Sequence, residues 1–582
     1  MHTKYDVIVV GGGHAGIEAA WTAARMGSRV LLATLQQNKI GEMSCNPAIG
    51  GIGKGHIVFE IEALGGLMPK LCTKTYLQAR MLNTSKGPAV HGLRLQIDKE
   101  QYKHAAREYL ASVKTLTILE GEAERILIED NQTQGVIING IEYFAPSVIL
   151  TTGTFLDGII HIGENHYSGG RREEPTAKKL SDSLKNLNLR MDRLKTGTPA
   201  RIQKNSINFS KMQSQGSDKL EFLYEFYPHQ VTHKHNCFIT HTNENTHAII
   251  AQNAHRSAIH VGNIKGKPPR YCPSIEDKIV RFAHKNSHHI FIEPESLQLE
   301  EMYPNGISTS LPAEVQQAFI RTIVGLEDAQ ITKYGYAIEY DFVYPNQLTH
   351  ALELKKYSGL FLAGQINGTT GYEEAAGQGL IAGINAHLKI HNQETFTLDR
   401  TESYIGIMID DLVTMSIDEP YRMFTSRAEH RIVLRQDNTF LRLMDKGYQL
   451  GLIEAEKYHD FLKEKEGIHA VLVNGENRIL GARAQITIQA EQKYAPYIER
   501  EQREIDKMRK YHELTIPASF VYHQLPGLSI ELQQKLVHYK PENIAQVSRI
   551  PGMTPAAISL LIWKINAHSQ EKKAKLWIDK NI

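Results

Sequence analysis

The sequence predicts an α/β fold in its larger N-terminal part and an all-α region beyond about residue 400. An apolar, strand-like run at residues 5–10 leads directly into a glycine-rich turn and a helix of small residues. A similar strand and small-residue turn occurs at 149–155, and another begins at 360 and continues into a small-residue helix. After residue 400, helical periodicity dominates the pattern.

The first glycine turn has the spacing of a dinucleotide-binding motif. It consists of Gly11, Gly12, Gly13, His14, Ala15 and Gly16, a G-x-G-x-x-G that lies between a predicted strand and a predicted helix. We expect Gly11 to make the turn, Gly13 to let a pyrophosphate approach, and Gly16 to let the helix pack on the sheet. The acidic residue that usually ends the second strand is missing, because Thr34 stands there and no acid occurs before Glu42.

The distant parts of the pattern favour FAD over NAD at this first site. The turn at 149–155 is typical of the strand that returns to the cofactor in two-part flavoproteins, and the stretch 363–386 carries glycines at 364, 368, 371, 377 and 379. Such glycines allow backbone to approach a bulky flat ligand. The strand at 121–128 makes Ala123 a candidate contact of the adenine. The predicted fold is therefore a Rossmann-like two-part FAD-binding domain of the glutathione-reductase-like class.

Composition limits the possible classes of protein. The chain has 582 residues, 41% hydrophobic and 22% charged, with a net charge of +2, so any nucleic-acid surface must be local. The four cysteines are too irregularly spaced for a disulfide framework or a metal site, so no metal is predicted. No apolar run is long enough to span a bilayer. These features predict a soluble cytoplasmic protein without a membrane anchor.

Two of the cysteines are candidates for catalysis. Cys45 lies at the entrance to a glycine loop, and Cys272 lies just before the predicted helix N-cap Ser274 and near Arg270 and Lys278. A helix N-terminus and nearby cations both favour the thiolate. Cys72 and Cys237 are expected to be small buried hydrophobes. Beside a flavin, the reactive thiolates could exchange disulfides, or one could add to C6 of a uracil ring and make C5 nucleophilic.

Local basic clusters favour the RNA alternative. Lys and Arg are concentrated in residues 80–107 and 190–204. Arg427, Arg431 and Arg435 are spaced to share one face of a helix. A charge run is usually only a solvated surface, but several on a near-neutral protein predict a surface that follows phosphates.

Several longer motifs carry a resemblance to a known family. They read G-G-G-H-A-G-I-E-A-A (11–20), M-S-C-N-P-A-I-G-G-I-G-K-G-H (43–56), L-K-T-G-T-P (194–199), P-R-Y-C-P-S-I-E-D-K (269–278), Y-P-N-G-I-S-T-S-L-P (303–312) and E-P-Y-R-M-F-T-S-R-A-E (419–429). The chain resembles the GidA or MnmG family, the FAD-containing large subunit of the tRNA uridine 5-carboxymethylaminomethyl modification enzyme. The likeness covers nearly the whole chain.

The resemblance implies an activity and its partners. Together with a GTPase of the MnmE (TrmE) family, in a heterotetramer, the family's enzyme modifies C5 of the wobble uridine of certain tRNAs. Methylenetetrahydrofolate supplies the carbon, glycine or ammonium the amine, and NADH the electrons, while FAD mediates the transfer. The large subunit is expected to form a homodimer.

The resemblance also implies site residues. Cys45 and Cys272 match the family's two active-site cysteines, and Gly11 to Gly16 with Gln365 match its FAD contacts. The implied NAD site comprises Pro268, Pro269, Arg270, Tyr271, Cys272, Pro273, Ser274, Ile275, Glu276, Asp277, Lys278, Ile279, Val280, Arg281 and Phe282.

The expected domain organisation has five segments. They are a first FAD-binding part (1–200), an inserted NADH-binding domain (201–274), a second FAD-binding part (275–395), a helical domain for tRNA or partner contacts (396–515) and a C-terminal helical subdomain that docks the GTPase (516–582). Two alternatives remain open. One is a folate- and FAD-dependent tRNA uridine C5-methyltransferase, against which the long helical C-terminal part argues. The other is a non-catalytic flavoprotein scaffold.

Overall fold

The structure is a computed structural model that describes residues 4–258, 262, 264–267, 273–415, 419–517, 519–523 and 525–567. The chain divides into two units, residues 1–492 and 493–582. The described strands all belong to the first unit and are β1 (Val7–Val10), β2 (Val30–Thr34), β3 (Ala48–Gly50), β4 (Tyr76–Leu82), β5 (Gly92–Ile97), β6 (Leu116–Glu120), β7 (Ala123–Glu129), β8 (Gln132–Ile138), β9 (Ile141–Phe144), β10 (Ser147–Leu150), β11 (Ile159–Ile162), β12 (Asn165–Ser168), β13 (Met191–Thr198), β14 (Arg201–Gln203), β15 (Gln213–Gln215), β16 (Cys237–His241), β17 (His289–Pro294), β18 (Glu301–Asn305), β19 (Ile331–Lys333), β20 (Tyr336–Val343) and β21 (Leu360–Leu362).

The helices are distributed along the whole described chain. They are α1 (His14–Arg25), α2 (Lys54–Ala63), α3 (Met68–Thr75), α4 (Lys99–Ala111), α5 (Lys178–Asn186), α6 (Glu244–Asn253), α7 (Ile275–Arg281), α8 (Ala313–Ile320), α9 (Tyr372–Ile390), α10 (Tyr404–Thr414), α11 (Thr439–Gln449), α12 (Ala455–Asn474), α13 (Ala482–Glu513), α14 (Ile530–Tyr539) and α15 (Ile544–Ser548). Residues 555–567 are also helical. Within the described residues, no helix combines the length and the apolar character needed to cross a membrane.

A parallel sheet forms the centre of the first unit. Its strand order is β21-β10-β1-β2-β6, and every neighbouring pair is parallel. Val9 of β1 pairs with Leu32 on one side and Ile149 on the other. These strands read as continuous apolar runs because both faces of the sheet are covered, and β1, β2, β10 and β21 are buried throughout. The predicted Rossmann-like α/β class is confirmed.

Helices α1 and α9 pack together at backbone distance. A Cβ added to Gly379 would lie 2.1 Å from the Ala15 carbonyl oxygen, and one added to Gly383 would lie 2.2 Å from Thr22 Oγ1. A Cβ on Gly377 would meet side chains of α2 and α10 instead. The glycines of α9 therefore serve helix packing, which corrects the expectation that the glycines of 363–386 all make room for a ligand.

A second, antiparallel sheet spans residues 201–333, with the strand order β15-β16-β17-β18-β14-β19. Ile202, Ile290 and Phe319 belong to the separate apolar core beneath it. Because β16 pairs directly with β17, the layer continues across residue 274. The sequence-based boundary at 274 therefore falls inside this sheet, whose last strand in the chain ends at Lys333.

The second unit is helical. Ser529 Oγ accepts a hydrogen bond from the backbone N–H of Leu532 at the start of α14, and Thr554 Oγ1 accepts one from Ala557. Both side chains are N-caps. Leu536, Val547 and Leu561 lie in the apolar core of this unit. The predicted all-α C-terminal region is confirmed.

Candidate active site

A cavity of about 500 Å³ lies where the strands of the parallel sheet end. Its walls include the turn after β1, residues 34–36 after β2, residues 151–155 after β10, and Ala363 and Gln365 after β21. These are all carboxyl ends of parallel strands. Ligands of open α/β sheets bind at this edge, where the connections diverge.

The glycines of the first turn have separate roles. Gly11 has φ +112°, and a Cβ there would lie 2.5 Å from the Thr151 carbonyl oxygen. A Cβ on Gly16 would lie 1.8 Å from the Gly11 carbonyl oxygen. Gly16 therefore keeps the first turn of α1 against the β1 turn, and it does not line the cavity. Both positions exclude a side chain for internal steric reasons.

Gly13 differs from these two glycines because it faces open space. Apart from Gly13 itself and its two chain neighbours, no protein atom lies within 4 Å of the place that its Cβ would occupy, and the residue lines the cavity at the N-terminus of α1. A helix N-terminus offers unpaired N–H groups and the positive end of the dipole. This part of the wall therefore fits an anionic, phosphate-like group.

His14 is buried in the same wall. Its ring lies between Tyr102 and Tyr372, with ring centroids 5.5 Å and 4.5 Å away. Burial, with a smaller contribution from Arg171, lowers the pKa of His14 to about 3. The imidazole is therefore neutral at physiological pH and adds no charge to the cavity.

The wall around the end of β2 contains both predicted and unpredicted groups. Ala123 and Gly121 line the cavity together with Thr34, as do Gln36 and Glu42. Burial raises the pKa of Glu42, but Lys103 and Arg171 outweigh it, so the pKa is lowered overall. Lys103 Nζ lies 2.9 Å from Glu42 Oε2. Glu42 thus supplies a carboxylate to the wall, although β2 itself ends in a threonine.

Cys45 is half-buried in the wall formed by the loop before β3. Its Sγ lies 3.2 Å from Tyr303 Oη, and its backbone N–H donates to Tyr372 Oη at 2.7 Å. Burial raises the pKa of both the Cys72 and the Cys237 thiols above the ordinary value. The prediction that Cys72 and Cys237 are buried hydrophobes is confirmed.

Only part of the predicted NAD segment can be located. Pro268, Pro269, Arg270, Tyr271 and Cys272 lie outside the described residues. Ser274 caps α7 by accepting a hydrogen bond from Asp277 N–H, as predicted. Pro273 and Lys278 line the cavity, and Lys278 Nζ donates to the Gly306 carbonyl at 2.7 Å. Ile275, Glu276 and Ile279 are buried, whereas Val280, Arg281 and Phe282 are exposed.

A buried ion cluster holds the glycine loop 50–55 against α9. Lys54 Nζ lies 2.7 Å from Glu373 Oε2 and 2.8 Å from Glu374 Oε2. Glu373 also accepts from the Gly50 N–H, and Glu374 from the Met423 N–H. Sequence patterns did not indicate this cluster, because its members are distant in the chain.

The three arginines predicted to share a helical face do not do so. Thr425–Arg427 is a single 3-10 turn, and the backbone from 428 to 438 is irregular. The guanidinium of Arg427 stacks on the Tyr421 ring, 4.2 Å from its centroid. Arg435 is fully buried, with Asp437 Oδ2 at 3.1 Å and Glu491 Oε1 at 2.7 Å. Of the three, Arg431 is exposed. The prediction from the i, i+4 spacing is wrong because the segment is not a helix.

We therefore expect the buried ion pairs of Arg435 to stabilise the folded protein. Arg435→Met should lower the free energy of unfolding by about 3–5 kcal/mol, because Asp437 is left buried without its cation. Arg431→Ala is the matched control and should change stability by no more than about 0.5 kcal/mol. Thermal unfolding of the two variants checks this. Equal transition temperatures for both would contradict the structural role of Arg435.

The first unit combines a parallel sheet, a glycine turn after β1, a returning strand and a cavity at the edge where these strands end. These features define an α/β protein of the two-part, Rossmann-like, glutathione-reductase-like class. Comparison with known families agrees. The model of the family described as "Glucose inhibited division protein A" (GidA) matches residues 6–394. The chain belongs to this family. A second model, "tRNA modifying enzyme MnmG/GidA C-terminal helical bundle", matches residues 504–580.

Individual relatives agree with this assignment. The chain is 47% identical to the tRNA uridine 5-carboxymethylaminomethyl modification enzyme MnmG of Thermodesulfovibrio yellowstonii, over 98% of this chain and 99% of that protein. Two crystal forms of GidA from Aquifex aeolicus are similar in structure, with TM-scores of 0.89 and sequence identities of 43% and 44%. Each alignment covers 97% of this chain and 98% or 100% of the other.

Proposed function

We propose that the protein is a FAD-dependent enzyme that modifies C5 of the wobble uridine of certain tRNAs. The observation that carries the proposal is that Gly13 and Cys45 line one cavity. An open, glycine-lined wall can accommodate a dinucleotide cofactor. A thiol in the same cavity is placed to react with a substrate bound next to that cofactor. The full-length similarity to a tRNA uridine modification enzyme supports the same activity.

The residues that line the cavity fit FAD. Gly11 to Ala15 lie at the phosphate-binding wall, Ala123 lies near the end of β2, and Gln365 follows β21. The N–H groups at the start of α1 would hold the pyrophosphate, and Gly13 would let it approach. When bound, FAD supplies two-electron redox chemistry. His14 is neutral and adds no charge to this wall, so the N–H groups and dipole of α1 are left to attract the phosphates.

Cys45 and Cys272 are the proposed catalytic residues. A thiolate adds to C6 of the uracil, forming the S–C6 bond and moving the C5–C6 electron pair towards C5 and O4. C5 then becomes the nucleophile that accepts the one-carbon unit, and the folate amine leaves. Loss of the C5 proton and cleavage of the S–C6 bond restore the C5–C6 double bond and release the thiolate. Cys45 lines the cavity, so it is placed either to add to the uracil ring or to assist that addition. Pro273, which directly follows Cys272 in the chain, lines the same cavity.

The finer assignments rest on family membership. Methylenetetrahydrofolate is the proposed carbon donor, glycine or ammonium the amine donor, and NADH the reductant. The segment from Pro268 to Phe282 is the proposed NADH site, and its Lys278 lines the cavity. The proposed partners are tRNA, an MnmE-family GTPase docked on residues 516–582, and a second copy of the chain. A cytoplasmic location follows from the tRNA substrate. Arg431, which is exposed, is a proposed phosphate contact.

Nucleoside mass analysis of tRNA tests the proposal. A strain that lacks the gene should lose the 5-carboxymethylaminomethyl or aminomethyl group from the wobble uridine, and the intact gene should restore it. Loss of ribothymidine instead would favour the C5-methyltransferase. An unchanged nucleoside profile would favour the flavoprotein scaffold. The match of residues 504–580 to the MnmG/GidA helical bundle favours the wobble modification.

A further inference from the structure

Tyr303 places a phenol against the candidate catalytic thiol. It lies in β18, and its side chain is almost completely buried. Its Oη is 3.2 Å from Cys45 Sγ, within hydrogen-bonding distance for sulfur, and both residues line the cavity. When Cys45 is ionised, sulfur has no proton to give, so the phenol must be the donor of this hydrogen bond.

Two cations lie close to the ring of Tyr303. The Arg201 guanidinium carbon is 4.7 Å from the ring centroid, and Lys99 Nζ is 5.7 Å from it. Both cations share one carboxylate, since Glu295 Oε1 lies 2.7 Å from Arg201 Nε and 2.5 Å from Lys99 Nζ. Arg201 Nη2 also donates to the carbonyl of Ser44, the residue before Cys45. The cluster of Arg201, Lys99 and Glu295 is therefore joined to both the ring and the thiol loop.

The cluster places two basic groups around one carboxylate. Burial raises the pKa of Glu295, but Lys99 and Arg201 outweigh it and hold the pKa at about 2. Burial lowers the pKa of Lys99, against the effect of Glu295, so Arg201 is the firmly charged cation of the cluster. A cation near an aromatic ring stabilises negative charge on the phenol oxygen and so makes the hydroxyl a stronger donor. In a dry site, the same charge favours a nearby thiolate.

Other charged groups line the cavity. Lys54 is paired with Glu373 and Glu374, and Arg94 Nη2 lies 2.6 Å from Glu293. Among the described residues, the remaining charged groups in the wall are Lys39, Glu42, Arg171, Glu174, Lys278 and Arg422. Among the groups that contact Cys45 itself, Tyr372 accepts from the backbone N–H, Tyr303 contacts the sulfur, and the thiol can donate to the Gly197 carbonyl oxygen at 3.9 Å.

We propose that Tyr303 is a positioning residue that holds Cys45 as a thiolate in the cavity, by donating a hydrogen bond to Sγ with the Arg201–Lys99–Glu295 cluster beneath its ring. This inference deepens the proposed function and rests on it, because an ionised Cys45 matters only if that thiol reacts. The hydrogen bond stabilises the charged form of the thiol, so its loss should slow reactions that need the thiolate.

The test is the pH profile of Cys45 alkylation in the flavin-loaded protein. Iodoacetamide labelling, quantified by mass spectrometry of the Cys45 peptide, separates this thiol from the other three cysteines. Tyr303→Phe should slow labelling about tenfold at pH 7, because a hydrogen bond to a charged acceptor is lost. At high pH, where a thiol ionises without the help of a hydrogen bond, the rates of the variant and the wild type should converge. A purely structural change in access would slow labelling at every pH.

Tyr372→Phe is the matched control. It removes a hydroxyl from a ring of the same size beside Cys45, but that hydroxyl accepts from the backbone and does not contact sulfur. Its alkylation profile should follow that of the wild type. Lys99→Gln is a second variant, which leaves Arg201 and Glu295 as a neutral pair and should also shift the profile to higher pH.

Two outcomes separate the inference from the proposed function. An unchanged profile in both Tyr303→Phe and Lys99→Gln would overturn the inference, and tRNA modification by the wild type would still support the function. A shifted profile together with full tRNA modification by a Cys45→Ser variant would support the inference about the thiol and reject a catalytic role for Cys45.

Discussion

Gly13→Glu should yield a folded protein that no longer binds FAD. The Cβ position of Gly13 is open to the cavity, so the base of the new side chain meets no atom within 4 Å beyond the two neighbouring residues. Its carboxylate would lie at the N-terminus of α1 and occupy the place proposed for the pyrophosphate. We expect FAD affinity to fall by at least about 100-fold, since charge repulsion and steric exclusion act together. The visible spectrum of the purified variant measures this.

Two other substitutions in the turn are controls. Gly13→Ala adds a methyl group to open space and should keep most of the flavin. Gly16→Ala places a Cβ 1.8 Å from the Gly11 carbonyl oxygen, so it should damage the turn and lower thermal stability as well as flavin content. A Gly13→Glu protein that retains one flavin per chain would show that the cofactor lies elsewhere.

Cys45→Ser should abolish tRNA modification and leave FAD bound. A serine hydroxyl is far less ionised than a thiol at neutral pH, so a reaction that needs the thiolate should slow by about 1,000-fold or more. The substitution is small, and Cys45 is only half-buried, so the fold should be unaffected. In vitro modification of tRNA, followed by nucleoside mass analysis, gives the rate.

Cys237→Ala is the control for this experiment. Cys237 is buried in β16 and does not line the cavity, so its loss should cost some stability without changing the modification rate. If Cys45→Ser modified tRNA at the wild-type rate, Cys45 would not be the reacting group.

The local parts of the fold were predictable from the sequence. The strand, glycine turn and helix at 7–25 lie within a few residues of their predicted bounds, because a buried parallel strand and a Rossmann turn each leave a continuous pattern in the chain. The N-caps Ser274 and Ser529 were predictable for the same reason, since capping depends on neighbouring residues. The expected separate roles of Gly11 and Gly16 agree with the steric contacts at those positions.

The parts that depend on long-range pairing were not predictable. The antiparallel sheet joins β14 at 201 to β19 at 333, and no local signal marks the pairing of β16 with β17 across the predicted boundary. The partners of Lys54 and Arg435 are likewise distant or in irregular backbone. A run of basic residues therefore gave no means of distinguishing a buried ion pair from a phosphate contact.

In the candidate site, too, the local features were predictable from the sequence and the long-range contacts were not. The glycine turn could be assigned because its chemistry follows from adjacent residues. The contact between Cys45 and Tyr303 could not, because each lies in an unremarkable local pattern and only the fold joins them. The Y-P-N-G-I-S-T-S-L-P motif that contains Tyr303 carries a family resemblance, but the motif alone indicates no chemical role for the tyrosine.

The central claim is that the cavity beside Cys45 holds a flavin dinucleotide. The most direct test is to denature the wild-type protein and identify the molecule that it releases. Chromatography with mass detection should find FAD at about one molecule per chain, either as purified or after incubation with FAD. A colourless protein that releases no flavin and takes up none on reconstitution would contradict the account.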